Sequence, residues 1–247
     1  AGAGPMRPFL SQLRTELALS SRQGEQLLVS IGIPLLILVF FSSVDVLPLP
    51  DRVDEPIDFL APGVLALAIM STSLVSLGIG TGFERAYGVL KRLGSSPLGR
   101  PRWVAAKIAT VLVIEVAQWV LLIGVSVALG WSPPASGWAA ALLGALLGTA
   151  AFGGLGLLMA GTLPGLATLA GANALSLVLL LTGGMVIPLD ELPTAVATVA
   201  KALPAAPLAE ILTGSLGDGS VAGWAWVSLG IWAVAAPIAA AAWFRWE

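Results

Sequence analysis

Few residues of this 247-residue chain could do chemistry, and the first to weigh is a carboxylate in the middle of an apolar run, Glu115 within 103–129. A charge at mid-bilayer depth is expensive unless it faces protein or water, so such a group is read first as functional. As a functional group it would carry protons or line a polar substrate path. As a structural one it would be a protonated or hydrogen-bonded carboxyl fixing helix packing. Gln118 shares its helix face at i+3, whereas Lys107 lies two turns back, about 12 Å along the axis, too far to pair with it. Ser71, Thr72, Ser73 and Ser76 place hydroxyls on the second apolar run, and Asn173 is a lone amide in the fifth. Ser73, Ser76, Glu115 and Asn173 are therefore the candidate lining of a path. The competing reading is that such groups bond their own backbone or hold helices together.

Other chemistries lack their residues. The chain has no His and no Cys, which removes the usual ligands of zinc, thiolate nucleophiles and histidine bases. No nucleophile–base pair is in view, so an enzyme is not expected, and no cofactor of the chain's own. No Gly-Lys dipeptide occurs, so a phosphate-cradling GxxxxGK[ST] loop cannot be written. The glycine clusters Gly78-Gly80-Gly82 and Gly153-Gly154-Gly156 do not fit GxGxxG and read as sites of close helix packing. Gly144 and Gly148 form one GxxxG pair.

The elements that must hold these residues are membrane helices. Charged residues are 11% of the chain and hydrophobic ones 57%, with mean hydropathy +0.94, where a soluble domain would carry about a quarter charged residues. Several apolar runs are long enough to cross a hydrocarbon core of about 30 Å. The expected architecture is a single all-α integral membrane domain with six spans, 27–47, 59–81, 103–129, 138–163, 166–187 and 223–243. Pro164-Gly165 makes the fourth and fifth antiparallel neighbours. Ahead of them, Phe9, Leu10, Leu13 and Leu17 recur at helical spacing over 8–21, as in an amphipathic helix lying in the interface. Residues 1–5 are a cloning remnant or a native start. Segment 188–220 reads as two short helices dipping into the outer leaflet or as a surface loop, the first helix ending at Pro204.

Of the twelve Lys and Arg residues, all but Arg52 and Lys201 fall on one side of this even-span plan, and most carboxylates on the other. By the positive-inside rule both termini are cytoplasmic. The net charge of −2 gives no field for nucleic acid. Abundant Ala and Gly, with Arg over Lys, hint at a GC-rich bacterial genome.

On the basic side lies the segment Glu84-Arg85-Ala86-Tyr87-Gly88-Val89-Leu90-Lys91-Arg92-Leu93-Gly94-Ser95-Ser96-Pro97-Leu98. It reads as a short charged helix over 84–96 with Tyr87, Leu90 and Leu93 on one face, ended by Gly94 and barred from resuming by Pro97. Anchoring alone would explain the basic residues. The Tyr/Leu face and the Gly–Pro ending look like a knob for a partner's groove.

These residues resemble the permease subunits of the type-2 ABC exporter family, in particular its drug-resistance (daunorubicin-type) branch. That pattern, E-R-x-x-G-x-L-x-R-L-x-x-x-P-L followed by a Lys entering the third span, is met by Glu84, Arg85, Gly88, Leu90, Arg92, Leu93, Pro97, Leu98 and Lys107. Gly183-Gly184-Met185-Val186-Ile187-Pro188-Leu189 with Leu192-Pro193, and Pro207-Leu208, are similar to the family's sequence around its extracellular helices. The resemblance implies a bacterial inner-membrane permease, paired with a second permease as a homodimer. A coupling helix (Glu84, Arg85, Tyr87, Gly88, Leu90, Arg92, Leu93, Pro97) would seat in each of two separate ATP-binding subunits, which hold ATP and magnesium. It further implies alternating access that exports a hydrophobic or amphipathic molecule such as a drug, a lipid-like compound or a glycoconjugate. The readings that compete are an ion- or proton-coupled transporter using Glu115 and a membrane anchor for a cytoplasmic protein.

Overall fold

A computed structural model describes residues 6–22, 24–44, 55–94, 99–217 and 220–246. Residues 1–5, 45–54 and the Pro97-Leu98 pair of the segment above lie outside them. Among the described residues there is no strand, and the chain is an all-α integral membrane protein.

Helix α1 (Met6–Arg22) covers the expected amphipathic stretch, and α2 (Gly24–Ser43) replaces the expected 27–47 run. The second run is longer than its hydropathy indicated. Helix α3 (Pro56–Met70), a π-helical turn (Ser71–Ser76) and α4 (Leu77–Ala86) join into one 31-residue element, Pro56–Ala86. A helix apolar all round belongs inside a bundle, and every residue of α3 from Phe59 to Met70 is buried. Beyond a break at Tyr87-Gly88 come α5 (Val89–Gly94) and α6 (Gly99–Ala128). Helices α7 (Trp138–Thr162) and α8 (Gly165–Thr182) meet at the expected Pro164 turn. The fifth run thus ends at Thr182 rather than 187, because Gly184 takes φ +73° and turns the chain.

Among the described residues, five helical stretches are long and apolar enough to cross a membrane: Pro56–Ala86, Arg102–Ala128, Ala135–Thr162, Gly165–Thr182 and Gly223–Trp243, the last being α11. The apolar part of α2, Ser30–Ser43, is shorter than these. A sixth stretch of membrane-like length arises only by joining α9 (Thr194–Ala202) to α10 (Ala205–Leu216), which meet at 89°. Residues 189–216 are therefore mostly helical rather than a plain loop, and α10 is almost wholly buried against α3, α7 and α11.

Small residues let α10 enter. Its Leu208 and Ile211 lie where side chains on Gly148 and Gly144 would stand, so the GxxxG pair is a groove for α10 inside the chain. Gly148 is ten residues into α7, about 15 Å from its start, so α10 reaches roughly halfway through the bundle. Helix α7 also packs along α11, where a Cβ on Gly154 would come within 2.5 Å of the Pro237 nitrogen. Val116 and Val120 of α6, Leu177 of α8 and Ile231 and Ile238 of α11 are exposed on the outside of the bundle.

Candidate functional site

Among the described residues, two polar assemblies interrupt this apolar bundle. The first lies where α4 ends. Glu84 is still in the last turn of the long element, next to Arg85. The Lys107 ammonium, from the start of α6, donates to Glu16 Oε2 of α1 at 2.7 Å and also to Glu84 Oε1. Gln12 donates to the other oxygen of Glu16 at 2.8 Å. Glu16 is the side chain that α1 turns most fully inward among those described. Lys107 also lies 5.7 Å from the Trp103 ring centre, near enough for a cation–π contact. One cation between two carboxylates in a largely buried place satisfies charges that would be costly alone. Arg85 turns the other way and donates to the carbonyl of Ala160 at 2.9 Å. That carbonyl is in the last turn of α7, where unpaired acceptors favour a cation.

The chain then leaves the helix at Tyr87. Gly88 takes φ +70°, a left-handed conformation cheap only for glycine. In place of the expected continuous helix, residues 84–94 form two pieces, so Tyr87 and Leu90 do not share one helical face. Tyr87 is 70% exposed and stacks on Phe83 at a centroid distance of 6.1 Å. Leu90 is wholly buried, in a cluster with Trp103, Phe244 and Trp246. Lys91 and Arg92 are exposed, and the Arg92 guanidinium reaches the Tyr87 carbonyl at 3.4 Å. Leu93 lies on α5, while Pro97 lies outside the described residues.

The second assembly crosses mid-bundle at the π-helical turn, where one extra residue re-aims the side chains; such turns recur at functional sites. Ser73 donates to Glu115 Oε1 at 2.5 Å and Thr149 of α7 to Oε2 at 2.7 Å. Thr72 donates to Gln118 Oε1 at 2.8 Å, and the Gln118 amide reaches the Ser30 carbonyl of α2 at 3.2 Å. Glu115 and Gln118, on one face of α6, thereby tie together α2, the π turn and α7. A tight neighbour accompanies the turn, since a Cβ on Gly156 would lie 2.9 Å from the carbonyls of Ser73 and Leu74.

Of the four residues read as a path, Ser73 and Glu115 meet. Ser76 is half-buried on the same turn. Asn173 is apart from them, exposed on α8 and donating to the Leu169 carbonyl of its own helix at 2.9 Å. Thr149 and Glu16 were missed by sequence reasoning. A hydroxyl in an apolar run and a carboxylate on an amphipathic helix are ordinary, and only helix proximity pairs them with Glu115 and Lys107.

A family model described as "ABC-2 type transporter" matches residues 8–216, from α1 through α10. The match takes in both assemblies. No curated protein matches the chain.

Proposed function

The chain belongs to the ABC-2 type transporter family, and on that premise we propose that it is the membrane half of an ATP-driven exporter. Membership makes it a multi-pass permease subunit of an ABC transporter, with an ATP-binding ABC subunit as its implied partner. In our reading two copies pair, and each receives one ATP-binding subunit carrying ATP and magnesium. The pair sits in a bacterial inner membrane with the Tyr87 end facing the cytoplasm. The cargo is a hydrophobic or amphipathic molecule such as a drug, moved outward by alternating access.

The observation that carries this is the division of labour within residues 84–92. Tyr87 and Lys91 are exposed, as docking residues must be. Their neighbours Glu84 and Arg85 are fastened to Lys107 and to the end of α7. A push on the exposed corner would therefore pass directly to α1, α6 and α7 rather than dissipate in a loop. Glu115, with both oxygens engaged, supports a helix-tying role over that of a proton carrier.

Native mass spectrometry of the chain co-expressed with its genomic neighbours tests the reading. We expect two permeases with two ATP-binding subunits, and loss of the latter on Tyr87→Ala with Lys91→Glu. Leu90→Ala, at a buried position, should act through folding instead. A particle of this chain alone, indifferent to ATP and to both substitutions, would overturn the exporter assignment.

A further inference from the structure

A second feature concerns the side of the bundle rather than its end. Helices α6, α7 and α11 enclose a groove of about 550 Å³, within the range of small-molecule sites, roughly 300–1,000 Å³. Its wall on α6 runs from Trp103 to Leu112, nine residues or about 14 Å along the axis, close to half the hydrocarbon thickness of about 30 Å. At one end Trp103, Phe244 and Trp246 form an aromatic cluster with ring centres 5.1–6.4 Å apart. Toward mid-bundle the wall reaches Thr149. Ile108 and Leu146, both exposed, stand at its rim, so it opens sideways. Its lining is apolar apart from Thr149 and holds no carboxylate.

We propose that this groove is a binding site for one acyl chain of an anionic glycerophospholipid, its headgroup held by arginine at the aromatic end. Arg245 is exposed between the groove residues Phe244 and Trp246, and exposed Arg102 adjoins Trp103. Aromatic rings beside arginines mark headgroup level, so the groove starts at the interface and spans one leaflet. A second copy of this chain is a poorer occupant. Sharing one membrane orientation, it would bring its own Arg245 to the same depth, and like charges would meet. The inference depends on membrane embedding and not on the exporter assignment.

The full-length chain, in mild detergent, is titrated with phosphatidylglycerol and with phosphatidylcholine of identical chains, and bound lipid is counted by native mass spectrometry. We expect at least about tenfold tighter retention of phosphatidylglycerol, a preference abolished by Arg245→Gln with Arg102→Gln. Ala241→Trp, which fills the groove from its exposed rim, should remove binding of both lipids. Undiminished phosphatidylglycerol retention by Ala241→Trp would overturn the site, as would a groove variant that loses dimer instead of lipid. In a variant that does not fold, the wild-type chain still decides. Brominated phosphatidylglycerol should quench its tryptophan fluorescence by a larger fraction than brominated phosphatidylcholine of identical chains, and equal fractional quenching would reject the proposal.

Discussion

Glu115 is held by hydroxyls from two other helical segments; its removal leaves the buried Ser73 hydroxyl without that acceptor, while Thr149 still reaches the Ala145 carbonyl of its own turn. Interhelical hydrogen bonds in membranes are worth about 0.6–2 kcal/mol each. Glu115→Ala should therefore lower the melting temperature in detergent by a few degrees, and Glu115→Gln, which keeps an acceptor, by less. A proton-coupled transporter would instead lose transport fully with Glu115→Gln at unchanged stability. Lys107 should matter more. Lys107→Met leaves Glu16 and Glu84 facing each other without a cation, and breaking a buried pair from one side costs about 3–5 kcal/mol. We expect poor recovery of folded Lys107→Met on size-exclusion chromatography. Glu16→Gln, which leaves Lys107 with Glu84, should be recovered near normally.

At the level of elements, glycines divide by what surrounds them. On Gly154, an added methyl would lie 2.5–2.7 Å from the backbone and ring of Ala236-Pro237, so Gly154→Ala must push α11 off α7. Gly80, in α4, has nothing within 4 Å of an added Cβ. Gly80→Ala should be neutral or stabilising by about 0.5–1 kcal/mol, so opposite shifts in thermal melting are expected from the same substitution at the two sites. Gly88→Ala forces a left-handed residue, at about 1–2 kcal/mol. Because Gly88 separates α4 from α5, that variant should weaken attachment of the ATP-binding subunit before it affects the bundle, which pull-down and melting measured together would show. Helices α9 and α10 illustrate a limit of periodicity. Proline positions marked the break, but burial of α10 depends on the Gly144 and Gly148 groove of a helix about sixty residues earlier, a spacing no local pattern encodes.

For the whole molecule, the decisive measurement is assembly. Tyr87→Ala with Lys91→Glu changes only exposed side chains, so the permease should stay folded while its ATP-binding partner is lost and ATP ceases to drive transport. Unchanged co-purification would move docking away from this corner. The all-helical class, the apolar segments and the charge asymmetry were legible in sequence, because burying backbone in lipid demands helices and long apolar runs. So was the family, from Glu84, Arg85, Gly88 and Lys107, each of which has a structural role. Glu84 and Lys107 form an ion pair, Arg85 caps the end of α7, and Gly88 makes the left-handed break.

Composition and spacing by themselves therefore determined that this chain lives in a membrane as a helical bundle, and where most of its polar exceptions lie. Tertiary structure decided what those exceptions touch. Lys107 and Glu16 are 91 residues apart and Thr149 and Glu115 are 34 apart. Such partners are chosen by which helices pack together, and helix packing in lipid depends on van der Waals fit and close approach at small residues, which a single sequence does not display. The same reason put Leu90 inside and Tyr87 outside. Their positions suit one helical face, but the left-handed turn at Gly88 between them sends the two side chains to different surroundings.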